Sequence, residues 1–152
     1  MIVLGLRASA QEIRFALLEK SEDGVINFVN KENENRLKYP KTASNIEEKL
    51  FWVKNEIDRI LRINTNIDKI CIKTNEFNGI ETTSKRETTY FDAIFLLCAK
   101  EHNIPVEKKL YSQICSSSNK AKEDAEQRVG KTNKYWNNVI ADAILVAYRG
   151  II

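Results

Sequence analysis

The order of strand-type and helix-type patterns is the feature that most constrains this fold. The N-terminal third predicts a three-stranded meander over residues 2 to 7, 12 to 19 and 25 to 29. Apolar and polar residues alternate in the second segment, and residues 22 to 24 supply a turn to the third. Helix and strand patterns then alternate to the end of the sequence. We therefore expect an α/β fold with a five-stranded mixed sheet and helices on both faces.

The later elements are predicted from helical spacing and from short apolar runs. A capping box of Ser44 and Glu47 precedes a helix whose apolar residues recur from Ile46 to Leu61. The strand predicted over residues 67 to 73 is apolar on both faces around Ile70-Cys71-Ile72, which is typical of a central strand covered by helices. The other predicted elements are a helix over 86 to 102, a strand over 106 to 111, a polar helix over 119 to 129 and a last helix over 134 to 149 that stops at Gly150.

Composition limits the class of protein. The chain has 152 residues, 43% hydrophobic, with only 5 glycines and 2 prolines, which favours one ordered domain over residues 1–152. Only the segment from Asn30 to Lys41, where charge and asparagine crowd together, is expected to be loose. No apolar run reaches the about 20 residues that a membrane helix needs, and the first residues do not resemble a signal peptide. We therefore expect a cytoplasmic protein without a membrane partner.

Residues that often carry chemistry are few. Cys71, Cys98 and Cys115 are odd in number and widely spaced, which indicates small core side chains in a reducing compartment. His102, the single histidine, falls at a predicted helix end, where the sequence places no nucleophile beside it. The sequence has neither a P-loop nor a Gly-x-Gly-x-x-Gly fingerprint. These patterns predict no nucleophilic catalysis and no cofactor.

Cations concentrate in one stretch near the end of the sequence, although the formal net charge is only +3. The candidate nucleic-acid-binding residues in this basic stretch are Lys120, Lys122, Arg128, Lys131 and Lys134. Such a stretch can follow the phosphate backbone of DNA or RNA through charge alone. A solvated helix with its loops explains the same residues equally well, and both interpretations remain open.

Three short segments resemble a known family: Val3-Leu4-Gly5-Leu6, residues 69 to 73 (Lys-Ile-Cys-Ile-Lys) and residues 141 to 144 (Ala-Asp-Ala-Ile). With the element order, they resemble the RuvC-like Holliday-junction resolvase branch of the ribonuclease H-like fold. They are also similar to a small uncharacterised bacterial family whose central strand has the same Ile-Lys ending. The resemblance spans nearly the whole chain and implies a bacterial protein with a ribonuclease H-like fold.

The resemblance also implies where a metal site would lie. In the family, acidic residues at the ends of the first and fourth strands and on the last helix bind two divalent ions, which clamp the reacting oxygens. The matching positions here are Arg7, Lys73 and Asp142. A unit charge pair at about 4 Å is worth roughly 4 kcal/mol at an effective dielectric of about 20, so two cations oppose a divalent ion strongly. We therefore expect a degenerate site without catalytic residues or metal.

Several interpretations of this site remain open. Arg7 and Lys73 could both pair with Asp142 as a salt-bridged replacement for the metal site. Alternatively they form an anion pocket, in which Arg7 supplies a forked donor and Lys73 a point charge. A displaced metal site could instead use Glu76 and Asp142, with Glu12 as a further ligand.

Two other features bear on binding. The polar segments 75–79 and 84–89 follow the fourth strand, at the end of the sheet where ligands of open α/β folds bind, although plain connectors would look the same. Trp52 and Trp136 fall on apolar helical stripes, which favours core packing over stacking on bases.

Three functions follow from these patterns. The leading hypothesis is a non-catalytic nucleic-acid-binding or assembly module that has lost its metal site and binds DNA or RNA. The second is a divalent-metal nuclease with a relocated site at Glu76 and Asp142. The third is a protein-interaction or structural domain without nucleic-acid affinity, in one form a homodimer through the apolar faces of its helices. The sequence leans away from an enzyme.

Overall fold

The predicted meander opens the structure. The computed structural model describes residues 1–114 and 116–152, and these residues contain six strands and five helices. The strands are β1 (Ile2–Ala8), β2 (Glu12–Lys20), β3 (Ile26–Phe28), β4 (Arg36–Lys38), β5 (Lys69–Lys73) and β6 (Val106–Lys109). The helices are α1 (Ile46–Ile63), α2 (Thr83–Glu101), α3 (Tyr111–Ile114), α4 (Ala121–Val129) and α5 (Asn138–Ile151).

One mixed sheet organises the domain. Five strands follow the order β3-β2-β1-β5-β6, and β4 pairs with the first residues of β2. The pairs β1–β2 and β2–β3 are antiparallel, whereas β1–β5 and β5–β6 are parallel. The first strand thus neighbours the strand after α1, as the ribonuclease H-like resemblance implies, and the α/β class is confirmed; the sheet has one strand more than expected.

Side chains alternate along β1 between two cores, one on each face of the sheet. Leu4 and Leu6 join the core under α1 and α2, whereas Val3 joins the core under α5 and α4. Gly5 and Gly150 let α5 approach the sheet, because a Cβ on Gly150 would lie 2.3 Å from the sulfur of Cys71. Gly150 is therefore a buried residue inside α5, and the prediction that it stops the helix is wrong.

The segment expected to be loose is ordered. It contains β4, and the buried Asn30 and Asn35 explain why it folds. Asn30 accepts a hydrogen bond from Leu17 N–H at 2.7 Å and donates to Glu34 O at 2.8 Å. Amide side chains that satisfy backbone groups in this way hold a segment with few apolar residues in place.

Helix starts differ from the prediction by a few residues. The N-cap of α1 is Asn45 rather than Ser44, since its side chain accepts from Glu48 N–H. Thr82 caps α2, so the segment expected as a polar loop at 84–89 is helical. Asn137 caps α5, so Trp136 precedes the helix, although it still packs partly buried against the core under α5.

The cysteines in the described residues, Cys71 and Cys98, are free and buried, whereas Cys115 lies outside the described residues. Burial raises the pKa of Cys71 to about 11 and that of Cys98 to about 12, so neither is a thiolate at neutral pH. His102 is the C-cap of α2, and its Nε2 lies 3.1 Å from Asp58 Oδ1.

Membrane insertion has no support in the described residues. Their helices are too short or too polar for any of them to cross a bilayer.

Candidate functional site

Arg7, Lys73 and Asp142 meet at the carboxyl ends of two neighbouring strands. Arg7 is the next-to-last residue of β1, Lys73 ends the parallel strand β5, and Asp142 lies one turn into α5. Arg7 Nε is 3.4 Å from Asp142 Oδ2, and Arg7 Nη1 donates to the backbone oxygen of Lys73 at 3.0 Å. Alternation along the strands turns both cations to the face that α5 covers.

Two further residues, Glu76 and Tyr111, close this cluster into a hydrogen-bonded network. The Tyr111 hydroxyl donates to Asp142 Oδ1 at 2.8 Å, and the Tyr111 N–H donates to Glu76 Oε1 at 2.8 Å. Lys73 Nζ donates to Glu76 Oε1 at 3.2 Å and to Thr74 O at 2.6 Å. It also lies 3.9 Å from the centre of the Tyr111 ring, a cation–π contact. Hereafter this is the strand-end cluster, consisting of Arg7, Lys73, Glu76, Tyr111 and Asp142.

Burial governs the protonation of the strand-end cluster. Burial raises the pKa of Asp142 above its ordinary value, and Arg7 and the Tyr111 hydroxyl offset this only in part. Burial, together with the neighbouring Arg7, lowers the pKa of Lys73. Burial by itself would raise the pKa of Glu76. The hydrogen bonds from the Tyr111 N–H and from Lys73 outweigh burial, so the pKa of Glu76 is lowered. The cluster therefore balances two cations against two carboxyl groups within the protein.

These residues do not fit the two-metal site that the family resemblance implies. The two residues that the resemblance matches to ligand positions, Arg7 and Lys73, are cations, and the oxygens of Glu76 and Asp142 already accept hydrogen bonds from protein groups. In the described residues, no group of three or more His, Cys, Asp and Glu side chains lies close enough to hold an ion. A divalent ion here would meet cations first and would compete with satisfied hydrogen bonds.

Glu12 belongs to a different cluster. Its carboxylate accepts from Arg36 and, at 3.0 Å, from Asn137, and it lies 3.7 Å from the buried Arg14. Arg14 in turn donates to the backbone oxygen of Tyr135 at 2.6 Å. The structure therefore does not assemble Glu12 with Glu76 and Asp142, and the contacts of Arg14 instead fix the segment that leads into α5.

The basic stretch is divided by the fold. Ala121 and Ala125 form the buried side of α4, and helical geometry puts Lys122 and Arg128 on opposite flanks of that side. Arg128 lies over the Tyr148 ring at 4.6 Å. Lys120 comes just before α4, and Lys131 and Lys134 lie in the exposed segment before α5, where Lys131 pairs with Glu126 at 3.0 Å.

A pocket of about 840 Å³ adjoins the strand-end cluster. The loop after β5, one side of α2 and the end of β6 line it, and Glu76 belongs to both the pocket and the cluster. Asp92 of α2 is buried in its wall, and its Oδ1 accepts no hydrogen bond from the described residues. Asp92 was not among the predicted site residues. An acidic residue on the same helical stripe as Phe91 and Phe95 was the signal that could have identified it as a buried acid.

Comparison with solved structures identifies the fold. RuvC from Thermus thermophilus in complex with a Holliday junction substrate matches with a TM-score of 0.77 at 14% identity, covering 98% of this chain and 92% of that one. The yeast mitochondrial Holliday junction resolvase matches with a TM-score of 0.63 at 13% identity, covering 98% and 77%. A Fowlpox virus resolvase, solved with Holliday junction DNA, matches with a TM-score of 0.53 at 12% identity, covering 99% and 97%.

Similarity in sequence is much weaker than similarity in structure. No protein-family model and no curated protein sequence matches the chain. The structural agreement with the resolvases extends over nearly the full chain. The protein therefore has the ribonuclease H-like fold in the form that RuvC-type resolvases share.

Proposed function

We propose that this protein is a non-catalytic nucleic-acid-binding or assembly module built on the scaffold of a resolvase-like nuclease. The observation that carries the proposal is the pair of cations, Arg7 and Lys73, at the strand ends of a fold shared with proteins solved on Holliday junctions. Cations at these positions disfavour a divalent ion, and the solved neighbours of the same fold that hold Holliday junctions make nucleic acid the ligand class.

Lys73 can attract a phosphate only through its electrostatic field, because its ammonium group is too buried to contact one. Its side chain is fully buried, whereas the side chain of Arg7 keeps 18% of its surface exposed. Because Glu76 and Asp142 neutralise the two cations locally, the strand-end cluster alone attracts a phosphate weakly. Direct phosphate contacts must therefore come from exposed cations around the cluster.

The basic stretch supplies those cations in this proposal: Lys120, Lys122, Arg128, Lys131 and Lys134. Lys131 and Lys134 carry the most weight, because Arg14, the register partner of Arg7, binds Tyr135 O and so holds their segment at the same end of the sheet. The exposed pair of Lys131 and Glu126 is a surface ion pair, which costs little to exchange for a phosphate.

An exposed aromatic residue supports the same surface. Phe77, in the loop after β5, has 93% of its surface exposed, and Ile80 beside it has 85%. Aromatic side chains held in solvent next to a charged surface are typical of proteins that stack unpaired bases. The loop at the end of β5 thus offers base contacts beside the proposed phosphate contacts.

Charge reversal at two lysines tests the proposal. In the double variant Lys131→Glu with Lys134→Glu, we expect affinity for labelled DNA to fall on the order of tenfold or more, with a salt slope lower by roughly two. Two lost phosphate contacts account for both changes. The measurement is fluorescence anisotropy with branched, duplex and single-stranded DNA and with RNA at several salt concentrations.

A matched control is available at the other end of the sheet. Arg62 and Lys100 are exposed and lie in the last turns of α1 and α2, away from the strand-end cluster. Reversing both charges changes the net charge equally but should leave affinity within about threefold. Equal losses in the two double variants would contradict a local phosphate-binding surface. No binding by the unmodified protein at low salt would favour the protein-interaction role instead.

The proposal also predicts that added metal leaves the nucleic acid intact. We expect no cleavage of a labelled four-way junction in Mg²⁺ or Mn²⁺, because Arg7 and Lys73 oppose the ions and Asp142 is committed to Arg7 and Tyr111. Gel analysis of the products provides the measurement. Mn²⁺-dependent products that disappear in Asp142→Asn would instead support a nuclease with a relocated site.

A further inference from the structure

The pocket beside the strand-end cluster contains a buried acid whose partner is missing from the described residues. Asp92 is only 7% exposed, its Oδ1 accepts no hydrogen bond, and no cation of the described chain lies within ion-pair distance. Leaving such an acceptor unpaired costs about 1–3 kcal/mol, so buried acids of this kind are normally satisfied by a donor. Asp92 lines the pocket, and a ligand seated there would have to reach Oδ1 through the pocket wall, because Oδ1 itself is fully buried.

No side chain of the described residues pairs with the carboxylate of Asp92. Burial raises the pKa of this carboxyl to about 7, against the opposing pull of Arg7, Lys73 and Lys108. The same burial strengthens any hydrogen bond that a ligand makes to it, because the local dielectric is low. A ligand with N–H donors would therefore gain more at Asp92 than at an exposed carboxylate.

The other residues that line the pocket indicate which kind of ligand it can bind. Ala93, Leu96 and Leu110 give it apolar walls that suit a flat ring. Lys108 is exposed at the end of β6 and suits a phosphate, whereas Lys109 is paired with Glu107. An N–H edge, a flat ring and a phosphate in one molecule describe a nucleotide, and about 840 Å³ is ample for one.

Guanine matches the ionised form of Asp92 better than the other bases, and the guanine-adenine comparison therefore applies above about pH 7, where that form predominates. Its Watson–Crick edge presents two adjacent N–H donors, and an ionised carboxylate offers two acceptor oxygens and no donor. Adenine presents a donor beside an acceptor nitrogen, which would face a carboxylate oxygen unfavourably. We propose that the pocket binds a guanine nucleotide, with the base edge at Asp92 and the phosphate beside Lys108.

The guanine can come from two sources: a free mononucleotide, or a nucleotide turned out of a nucleic-acid strand. Binding of a guanine turned out of a strand rests on the proposed nucleic-acid-binding function. Binding of a free mononucleotide is independent of that function. Both sources use the same contact at Asp92, so the mononucleotide is tested first.

Calorimetric titration of the full chain with 5′-GMP, IMP and AMP is the test. We expect GMP to bind, IMP to bind about tenfold more weakly because it lacks the 2-amino donor, and AMP to bind more weakly still. Asp92→Asn should lose at least about tenfold in GMP affinity. Equal affinity for the three nucleotides, unchanged affinity in Asp92→Asn, or no GMP binding would each overturn the inference.

Two more variants guard against a trivial result. Glu22→Gln removes an exposed carboxylate outside the pocket lining and should keep GMP affinity within about twofold. Ala93→Trp fills the pocket from an exposed position of α2, so it should block GMP while circular dichroism shows the native fold. GMP binding that survives Ala93→Trp would place the ligand elsewhere and overturn the inference.

Oligonucleotides distinguish the two sources. A thymine strand with one central guanine is compared with the same strand carrying adenine, using the unmodified protein, Asp92→Asn and the Lys131/Lys134 double variant. A guanine preference lost in Asp92→Asn supports the strand as the source. GMP binding without any oligonucleotide binding supports the pocket while contradicting the proposed function. Oligonucleotide binding without GMP binding and without a guanine preference supports the proposed function and contradicts the guanine pocket.

Discussion

Replacing Gly5 with alanine is expected to destabilise the protein by about 3 kcal/mol or more, a large share of the about 5–15 kcal/mol that holds a domain folded. The added Cβ would lie 1.9 Å from the carbonyl oxygen of Ala143 and 2.8 Å from the Cβ of Ala147. The first obstacle is the backbone of α5, so the whole helix would have to move away from β1. Urea unfolding measures the change.

Gly150 provides the comparison that separates backbone from side-chain obstruction. A Cβ there would meet the Cys71 sulfur at 2.3 Å, so Cys71→Ala should restore much of the stability lost in Gly150→Ala. Cys71→Ala should not rescue Gly5→Ala. At Gly24 no atom lies within 4 Å, and alanine should cost only about 1 kcal/mol, from the positive φ of 87°. A Gly5→Ala protein as stable as the parent would refute this close packing of α5.

The same close packing explains which parts of the fold were predictable. Strand and helix types followed from the apolar periods of β2, α1 and β5, which tertiary contacts reinforce. Gly150 looked like a helix stop because glycine usually ends helices, and only the distance to Cys71 identifies it as a contact residue. A sequence contains no such distance.

Short polar elements escaped prediction for a different reason. β4 is Arg-Leu-Lys, so Leu37 is its one apolar residue and no period can be read from three positions. Its stability comes from pairing with β2 and from the amide contacts of Asn30 and Asn35. Those contacts join residues far apart in sequence, and asparagine-rich segments with the same composition are commonly loops.

Topology carried the prediction of the candidate site further than local motifs did. The resemblance to the ribonuclease H-like fold implies that the first strand neighbours the strand after α1, and it is this implied order that grouped Arg7, Lys73 and Asp142; the structure pairs β1 with β5 and places α5 over both. The partners that complete the cluster were not accessible to that reasoning. Tyr111 was expected at the end of a strand, but it begins α3, which lets its hydroxyl reach Asp142.

Asp92 is expected to make the protein more stable in mild acid than at neutral pH. Its pKa is about 7 in the folded protein, where burial disfavours the carboxylate, and about 4 in an unfolded chain. Between these values the folded state holds a proton that the unfolded state has released. Stability from this group is therefore fully present below about pH 4, falls as pH rises, and is lost above about pH 7.

Asp92→Asn removes this titration while keeping the size and shape of the protonated acid. The unfolding free energy of the parent minus that of the variant should fall by about 3 kcal/mol between about pH 5 and pH 8, measured by urea unfolding at each pH. The subtraction cancels other buried acids, such as Asp142, whose pKa burial also raises. A pH-independent difference would show that Asp92 ionises as readily in the folded state as in the unfolded state. A ligand that donates hydrogen bonds to the carboxylate should offset the loss near pH 8, because it stabilises the ionised form that burial alone disfavours.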